Sequence, residues 1–224
     1  MRADHSAALA ILRAGIAAAT FPGAVAEVGS SAAPLWQHAE GTTDRSPDAP
    51  AVSLATVYDL ASLTKPLATT SLILAHAARA HVSLDAPLSG FFPEWRGADR
   101  QEASVQDALE HCTGLPARLV DRPPDTRREF EHDICTLPLE YAHRTRAVYS
   151  DLDFILLGFL IADLNGTPLS EQWARWWAET APSRDATGHL GFGAAGVAKD
   201  RVAATTPLPD DRRSAQRLVG AVHD

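Results

Sequence analysis

Apolar residues recur at helical spacing from Met1 to Ala19, interrupted by Arg13, and stop at Phe21-Pro22-Gly23. That stretch predicts an amphipathic helix. The rhythm then changes. Residues 23–29 (Gly-Ala-Val-Ala-Glu-Val-Gly) predict a strand, Ser30 to Pro34 a turn, and residues 35–41 a partner strand, together an antiparallel hairpin. Thr42 to Pro50 is polar and loop-like, and Thr56 to Ala61 leads into Ser62. Residues 63–81 are rich in Leu and Ala and predict a helix. Pro66 falls early in it, where N–H groups lack helical partners anyway.

Val82 to Trp95 carries Pro87, Gly90 and Pro93 and reads as loop. Ser104 is placed to cap a short helix, Val105 to His111, which Thr113-Gly114-Leu115-Pro116 ends. The chain then predicts an irregular region to about Arg146 and an extended run from Ala147 to Ser150. Asp151 is placed to cap an apolar helix from Leu152 to Leu164, stopped by Asn165-Gly166. Pro168-Leu169 begins another helix, whose Trp173, Trp176 and Trp177 recur at i, i+3, i+4 and predict a packing face. From Ser183 the chain is rich in Gly and Ala, then charged, and no internal repeat occurs.

Composition changes this picture little. The 224 residues are 46% apolar and 21% charged, enough for a real core. The net charge of −8 and the lack of a sustained basic stretch argue against nucleic acid or an anionic membrane as partner. Arg122, Arg127 and Arg128 are diluted by Asp121, Asp125 and Glu129, a solvated mixed-charge surface. No stretch approaches the roughly eighteen unbroken apolar residues of a membrane span. The first nineteen residues lack the basic region and uninterrupted apolar core of a signal peptide, so a cytoplasmic location is the default expectation. Cys112 and Cys135 fit no zinc spacing, which predicts ordinary packed cysteines and no metal; a disulfide between them is left open.

The chemistry begins at Ser62-Leu63-Thr64-Lys65. On a helix, positions 62 and 65 share a face, so an amine can stand beside a hydroxyl and activate it. The chain has two lysines against eighteen arginines. An arginine keeps its proton in a protein, whereas a buried lysine can release one. The plain alternative is a helix cap followed by a solvated lysine.

Three segments in order go further: Tyr58-Asp59-Leu60-Ala61-Ser62-Leu63-Thr64-Lys65, His111-Cys112-Thr113-Gly114-Leu115-Pro116, and Val148-Tyr149-Ser150-Asp151-Leu152. With them the chain resembles the serine β-lactamase and penicillin-binding-protein superfamily, most of all its class C β-lactamase and esterase branch, over most of residues 20–165. The resemblance implies an α/β (α+β) fold, with an antiparallel sheet flanked by helices and an inserted, mainly helical region. It implies one domain over 1–224. Within it, 1–61 form the N-terminal helix and hairpin, 62–182 the helical region with the site, and 183–224 a return segment toward sheet strands that are missing here.

The resemblance also implies roles. Ser62 is the acylated nucleophile, Lys65 holds or takes its proton, and Tyr149 acts with Lys65 as general base and later activates water. A phenol with an ordinary pKa of about 10 is a poor base unless a cation stands beside it. Asp151 stands where the family's Tyr-x-Asn motif has Asn. A carboxylate there can accept from Lys65 but cannot donate to a substrate carbonyl, which fits an ester substrate better than a penicillin. Asp151 is equally a helix N-cap candidate, and Ser150-Asp151-Leu152 offers a second register with the Ser-Asp-Asn motif, broken by Leu152. Tyr58 is expected to be a structural neighbour, and His111 to pack or hydrogen-bond under the site.

The third family motif, Lys-Thr-Gly or His-x-Gly, has only His189-Leu190-Gly191 as a candidate; Lys199-Asp200-Arg201 does not fit. The expected activity is cleavage of a small-molecule ester, amide or β-lactam through an acyl-enzyme, with no cofactor. The alternative is a binding or regulatory scaffold without turnover, or an inactive fragment of such a hydrolase. No Gly-x-Ser-x-Gly elbow and no Walker A pattern occur.

Overall fold

The computed structural model describes residues 4–119, 124–180, 190–193, 196–205 and 218–219. The backbone divides into two compact units, Met1–Ala61 with Thr187–Asp224, and Ser62–Ala186.

The first unit combines helix and sheet. Helix α1 (Ser6–Ala17) lies within the stretch whose periodicity predicts it. Strands β1 (Gly23–Gly29) and β2 (Pro34–Gly41) form the predicted antiparallel hairpin, with Val25 opposite Ala39 and an irregularity at Val28/Gly29. Arg13 on α1 reaches Glu40 on β2 at 3.1 Å. Thr42 bridges Ala51 and closes the polar loop between them. Val57 pairs in parallel with Val202: its N–H donates to the Arg201 carbonyl at 2.8 Å and its carbonyl accepts from Ala203 N–H at 2.9 Å. Strands β3 (Ala204–Thr205) and β4 (Leu218–Val219) make a second antiparallel pair. The segment leading to Ser62 is thus held by the return segment of its own unit.

The second unit is helical and built around α5 (Asp151–Asn165). Leu152, Leu156, Leu157, Leu160 and Ile161 line its buried side. Around it pack α2 (Ser71–Ala78), α3 (Val105–Leu109), α4 (Arg127–Thr136) and α6 (Leu169–Thr180). Leu72, Ile73, Val105, Ala108, Ile134 and Trp173 supply their buried apolar groups. Gly166, with φ +63°, ends α5 in the left-handed conformation its sequence predicts. Trp173 is buried and donates its indole N–H to the Leu67 carbonyl at 3.1 Å. Trp177 stacks on it at 5.4 Å between ring centres, so the tryptophan spacing is a packing face.

Four expectations need correction. Residues 63–81 are not one α-helix. A 3-10 turn (Ala61–Leu63) is followed by a wide π-turn (Lys65–Thr70), and regular helix starts only at Ser71. Pro66 has no N–H to give and its ring crowds the preceding turn; Ser71 Oγ donates to its carbonyl at 3.1 Å. Secondly, α4 lies in the region expected to be irregular. Its start carries a capping box, with Thr126 Oγ1 accepting from Glu129 N–H at 3.3 Å and Glu129 Oε2 from Thr126 N–H at 3.1 Å. Thirdly, Gly114 does not end α3, which stops at Leu109. Gly114 has φ +98°, and a Cβ there would lie 2.3 Å from the Tyr141 carbonyl oxygen. Finally, Ser150, not Asp151, caps α5: its side chain accepts from Asp153 N–H at 3.4 Å.

Asp107 is fully buried on α3. It completes a capping box with Ser104 and takes Arg144 Nε at 2.5 Å. Cys112 and Cys135 are free thiols, and burial pushes Cys135 up to about 12. Among the described residues no single helix is long and apolar enough to cross a membrane.

Because α5 touches all four neighbouring helices, Leu156→Ala is expected to destabilise the protein by about 2–5 kcal/mol. Leu74, half-exposed on α2, should tolerate alanine within about 0.5 kcal/mol. Urea denaturation of both variants checks the contrast.

Candidate active site

The four side chains assigned to the site, Ser62, Lys65, Tyr149 and Asp151, all lie in the second unit. Ala61, the residue before Ser62, is held at φ +43° and gives its N–H to Asp59 Oδ1 at 2.8 Å. A non-glycine residue there stores strain. The 3-10 turn that follows leaves Ser62 exposed and Lys65 mostly covered. Lys65 Nζ lies 3.2 Å from Ser62 Oγ, as the three-residue spacing predicts.

The same ammonium reaches across the fold. It donates to Asp151 Oδ1 at 2.5 Å and stands 4.8 Å from the centre of the Tyr149 ring. Phe154, one turn into α5, lies 5.9 Å away on the same cation. All four sequence-predicted residues, Ser62, Lys65, Tyr149 and Asp151, therefore converge on one nitrogen. Because Ser150 takes the capping role, the Asp151 carboxylate is free to do this.

The segment carrying Tyr149 belongs to no sheet. Its polar groups are satisfied by the loop 111–117 instead. Val148 N–H donates to the His111 carbonyl at 3.0 Å, and Asp151 N–H to the Ala117 carbonyl at 2.8 Å. Ser150 N–H donates to His111 Nδ1 at 3.1 Å and Ser150 Oγ to the Pro116 carbonyl at 2.7 Å. The second matched segment thus clamps the third.

Electrostatics follow from these contacts. Burial alone favours a neutral Lys65 amine, but hydrogen bonds and charge from Asp151 and Tyr149 outweigh it, and the lysine pKa is raised above its ordinary value. Lys65 at neutral pH is an ammonium. On the same helix as Asp151 lies Asp153, an acid that apolar spacing alone would assign to the core face of α5. It is buried, accepts from Thr113 Oγ1 at 2.6 Å, and turns its other oxygen toward His111 Nδ1 at 3.6 Å. Burial pushes its pKa up, against the pull of His111 and Thr113. The sequence assigns His111 a place under the site, but its partner Asp153 and the Thr113 that holds Asp153 are missing from that assignment. The signal available was a lone acid in an otherwise apolar helical stripe.

Tyr58 lies in the first unit; its hydroxyl is shielded and finds no hydrogen-bond partner among the described residues, and burial raises its pKa. His189 falls outside the described residues, so His189-Leu190-Gly191 has no structural test. Lys199 sits in a short 3-10 turn of the first unit. Among the described residues, no three His, Cys, Asp or Glu side chains converge as a metal site would require.

Comparison with known proteins bears on the family and the fold. A family model described as Beta-lactamase matches residues 9–222. The N-acetylmuramyl-L-alanine amidase of Bacillus subtilis (strain 168) is 28% identical over 128 residues, covering 51% of this chain and 29% of the amidase. A class C beta lactamase from Rhodobacter sphaeroides superposes with a TM-score of 0.66 at 24% identity, covering 85% of this chain and 55% of that one. EstCE1, a hydrolase with promiscuous acyltransferase activity, superposes with a TM-score of 0.72 at 19% identity, covering 88% and 55%. The fold is therefore β-lactamase/transpeptidase-like, and the chain spans about half the length of these two solved structures and under a third of the amidase.

With Lys65 raised by its partners, the ion pair with Asp151 stabilises the fold below the ordinary lysine value of about 10.4 and loses that contribution as pH rises through the folded value. The chain has two lysines, so two side-chain NMR signals suffice to follow this, with Lys65→Gln for assignment. Asp151→Asn is expected to move the Lys65 titration to lower pH and leave the Lys199 signal in place.

Proposed function

From the premise that this chain belongs to the Beta-lactamase family, we propose that it is a serine hydrolase working through an acyl-enzyme on Ser62, with a carboxylic ester as its preferred small-molecule substrate. The observation that carries this is the triple contact of one ammonium: Ser62 Oγ at 3.2 Å, Asp151 Oδ1 at 2.5 Å and the Tyr149 ring at 4.8 Å.

In this reading Ser62 Oγ attacks the substrate carbonyl carbon. Its proton cannot go to Lys65 while Asp151 keeps that nitrogen charged. Tyr149, beside the ammonium, takes it instead. The proton then passes to the leaving oxygen as the carbonyl–oxygen bond breaks. A water activated by Tyr149 attacks the acyl carbon, and Ser62 recovers its proton. Lys65 contributes charge and position throughout.

Two features support an ester over a penicillin. An alkoxide leaves with less help from a proton than an amine nitrogen does. Asp151 also cannot donate to an amide carbonyl, as an asparagine would. The relatives, an amidase, a beta lactamase and a hydrolase with promiscuous acyltransferase activity, are by name enzymes of such reactions, which supports this reading. The competing reading is a binding protein that keeps the scaffold without turnover. It draws on the same Lys65–Asp151 bond, which holds the amine in the form unable to act as a base.

Intact-protein mass spectrometry separates the two. A fluorophosphonate should add one phosphonyl group to the wild type and none to Ser62→Ala, and a penicillin should add more slowly than a p-nitrophenyl ester turns over. Absence of any adduct on folded wild type would overturn the hydrolase reading in favour of the scaffold. Asp151→Asn should narrow the gap between ester and penicillin; a gap that stays the same would remove Asp151 as the source of the preference.

A further inference from the structure

Tyr149 is more than half exposed, yet its neighbours on both sides are fixed, and one residue does most of the fixing. The His111 carbonyl accepts from Val148 N–H at 3.0 Å, on one flank of Tyr149. The His111 ring accepts from Ser150 N–H at 3.1 Å, on the other. Between these grips the His111 ring lies 4.8 Å from the Tyr149 ring and 5.0 Å from Phe154, tilted against both. His111 itself sits at φ +58°, a conformation unfavourable for most side chains, with its carbonyl also taking the Tyr141 hydroxyl at 3.1 Å.

We propose that His111 is a positioning residue for Tyr149: neutral, with its proton on Nε2, it holds both flanks of the tyrosine and sets the phenol ring against Lys65. The role rests on the reading of Tyr149 as the base, but the geometry it asserts does not.

The tautomer follows from the donors. A backbone N–H always donates, so Nδ1 facing Ser150 has to be a bare acceptor, and a neutral ring then carries its hydrogen on Nε2. A proton on Nδ1 would break the Ser150 bond and turn that nitrogen toward Asp153 Oδ2, 3.6 Å away and without a hydrogen bond of its own. The groups facing the histidine are Asp153 from α5, Tyr149 beside it, and Tyr141 at its carbonyl; the Lys65 ammonium stands 4.8 Å from the centre of the same Tyr149 ring. The Thr113 bond to Asp153 Oδ1 keeps that carboxyl aimed at the ring. Tyr149 is therefore placed by a histidine on a different loop, held through the Ser150 N–H bond to its ring and the Val148 N–H bond to its carbonyl.

Two variants of the full chain separate the parts. In His111→Asn the amide oxygen can stand where Nδ1 stands, and asparagine tolerates the left-handed backbone. In His111→Phe the ring packing stays and the acceptor is lost. Three readings are made. First, ¹⁵N-histidine NMR of the wild type should show His111 as the Nε2–H tautomer at neutral pH; an Nδ1–H or doubly protonated ring overturns the proposal. Second, the Lys65 methylene signals should be shifted upfield by the Tyr149 ring, a shift that Tyr149→Leu removes. That shift should persist in His111→Asn and collapse in His111→Phe; an unchanged shift in folded His111→Phe overturns the proposal. Third, on an ester substrate His111→Phe should lose roughly tenfold or more in kcat with KM within about twofold, and His111→Asn should stay within about threefold of wild type.

Should His111→Phe fail to fold, the wild-type tautomer and the asparagine variant still decide. An inert wild type with the expected tautomer and ring shift overturns the hydrolase reading and supports the positioning. An active wild type whose Lys65 shift survives in folded His111→Phe overturns the positioning alone.

Discussion

An extended segment with no strand beside it has to find partners for its backbone groups elsewhere, because a buried polar group left alone is costly. Residues 148–151 meet that constraint on the loop 111–117, through the carbonyls of His111, Pro116 and Ala117 and the ring of His111. The position of Tyr149 and the capping of α5 by Ser150 both follow from it. So does the freedom of Asp151 to leave the cap and meet Lys65. Gly114 belongs to the same solution, since only a residue without a Cβ lets Tyr141 pass so close.

The charge balance at Lys65 is the second organising fact. Its nitrogen is largely withdrawn from water and would tend to be neutral, yet Asp151 and Tyr149 return it to the charged form. An asparagine at 151 could accept from Lys65 but would bring no charge. One atom of difference between amide and acid therefore bears on the protonation state of the lysine and on what residue 151 can offer a substrate. An arginine at 65 would carry its charge on a broad planar fork and not on one compact nitrogen able to meet Ser62, Asp151 and Tyr149 together.

Much of the fold was legible because local signals were strong. The hairpin over residues 23–41, the α5 stripe and its Gly166 stop, and the tryptophan face of α6 follow from period, turn residues and caps. Where the structure departs from these signals, a competing local effect decides. Pro66 disrupts the first turns of a helix that composition alone makes regular. The Thr126–Glu129 capping box starts α4 in a region whose charge suggested loop. Ser150 and Asp151 are both good caps, and only the position of the Pro116 carbonyl favours the serine.

The site shows the same division. Sequence by itself determined that Ser62 and Lys65 are neighbours, because three residues in a helical turn cannot separate them far. It also identified Tyr149 and Asp151 through the order of three short segments. Tertiary structure alone decided that Asp151 bonds to Lys65 across 86 positions of chain, that the His111 ring packs against Tyr149, and that Asp153 faces that histidine. The reason is physical. Short-range spacing is set by backbone geometry and can be read along the chain. The partner of a buried charge is set by which elements pack together, and that packing is carried by apolar residues that bear no mark of the chemistry they bring into contact.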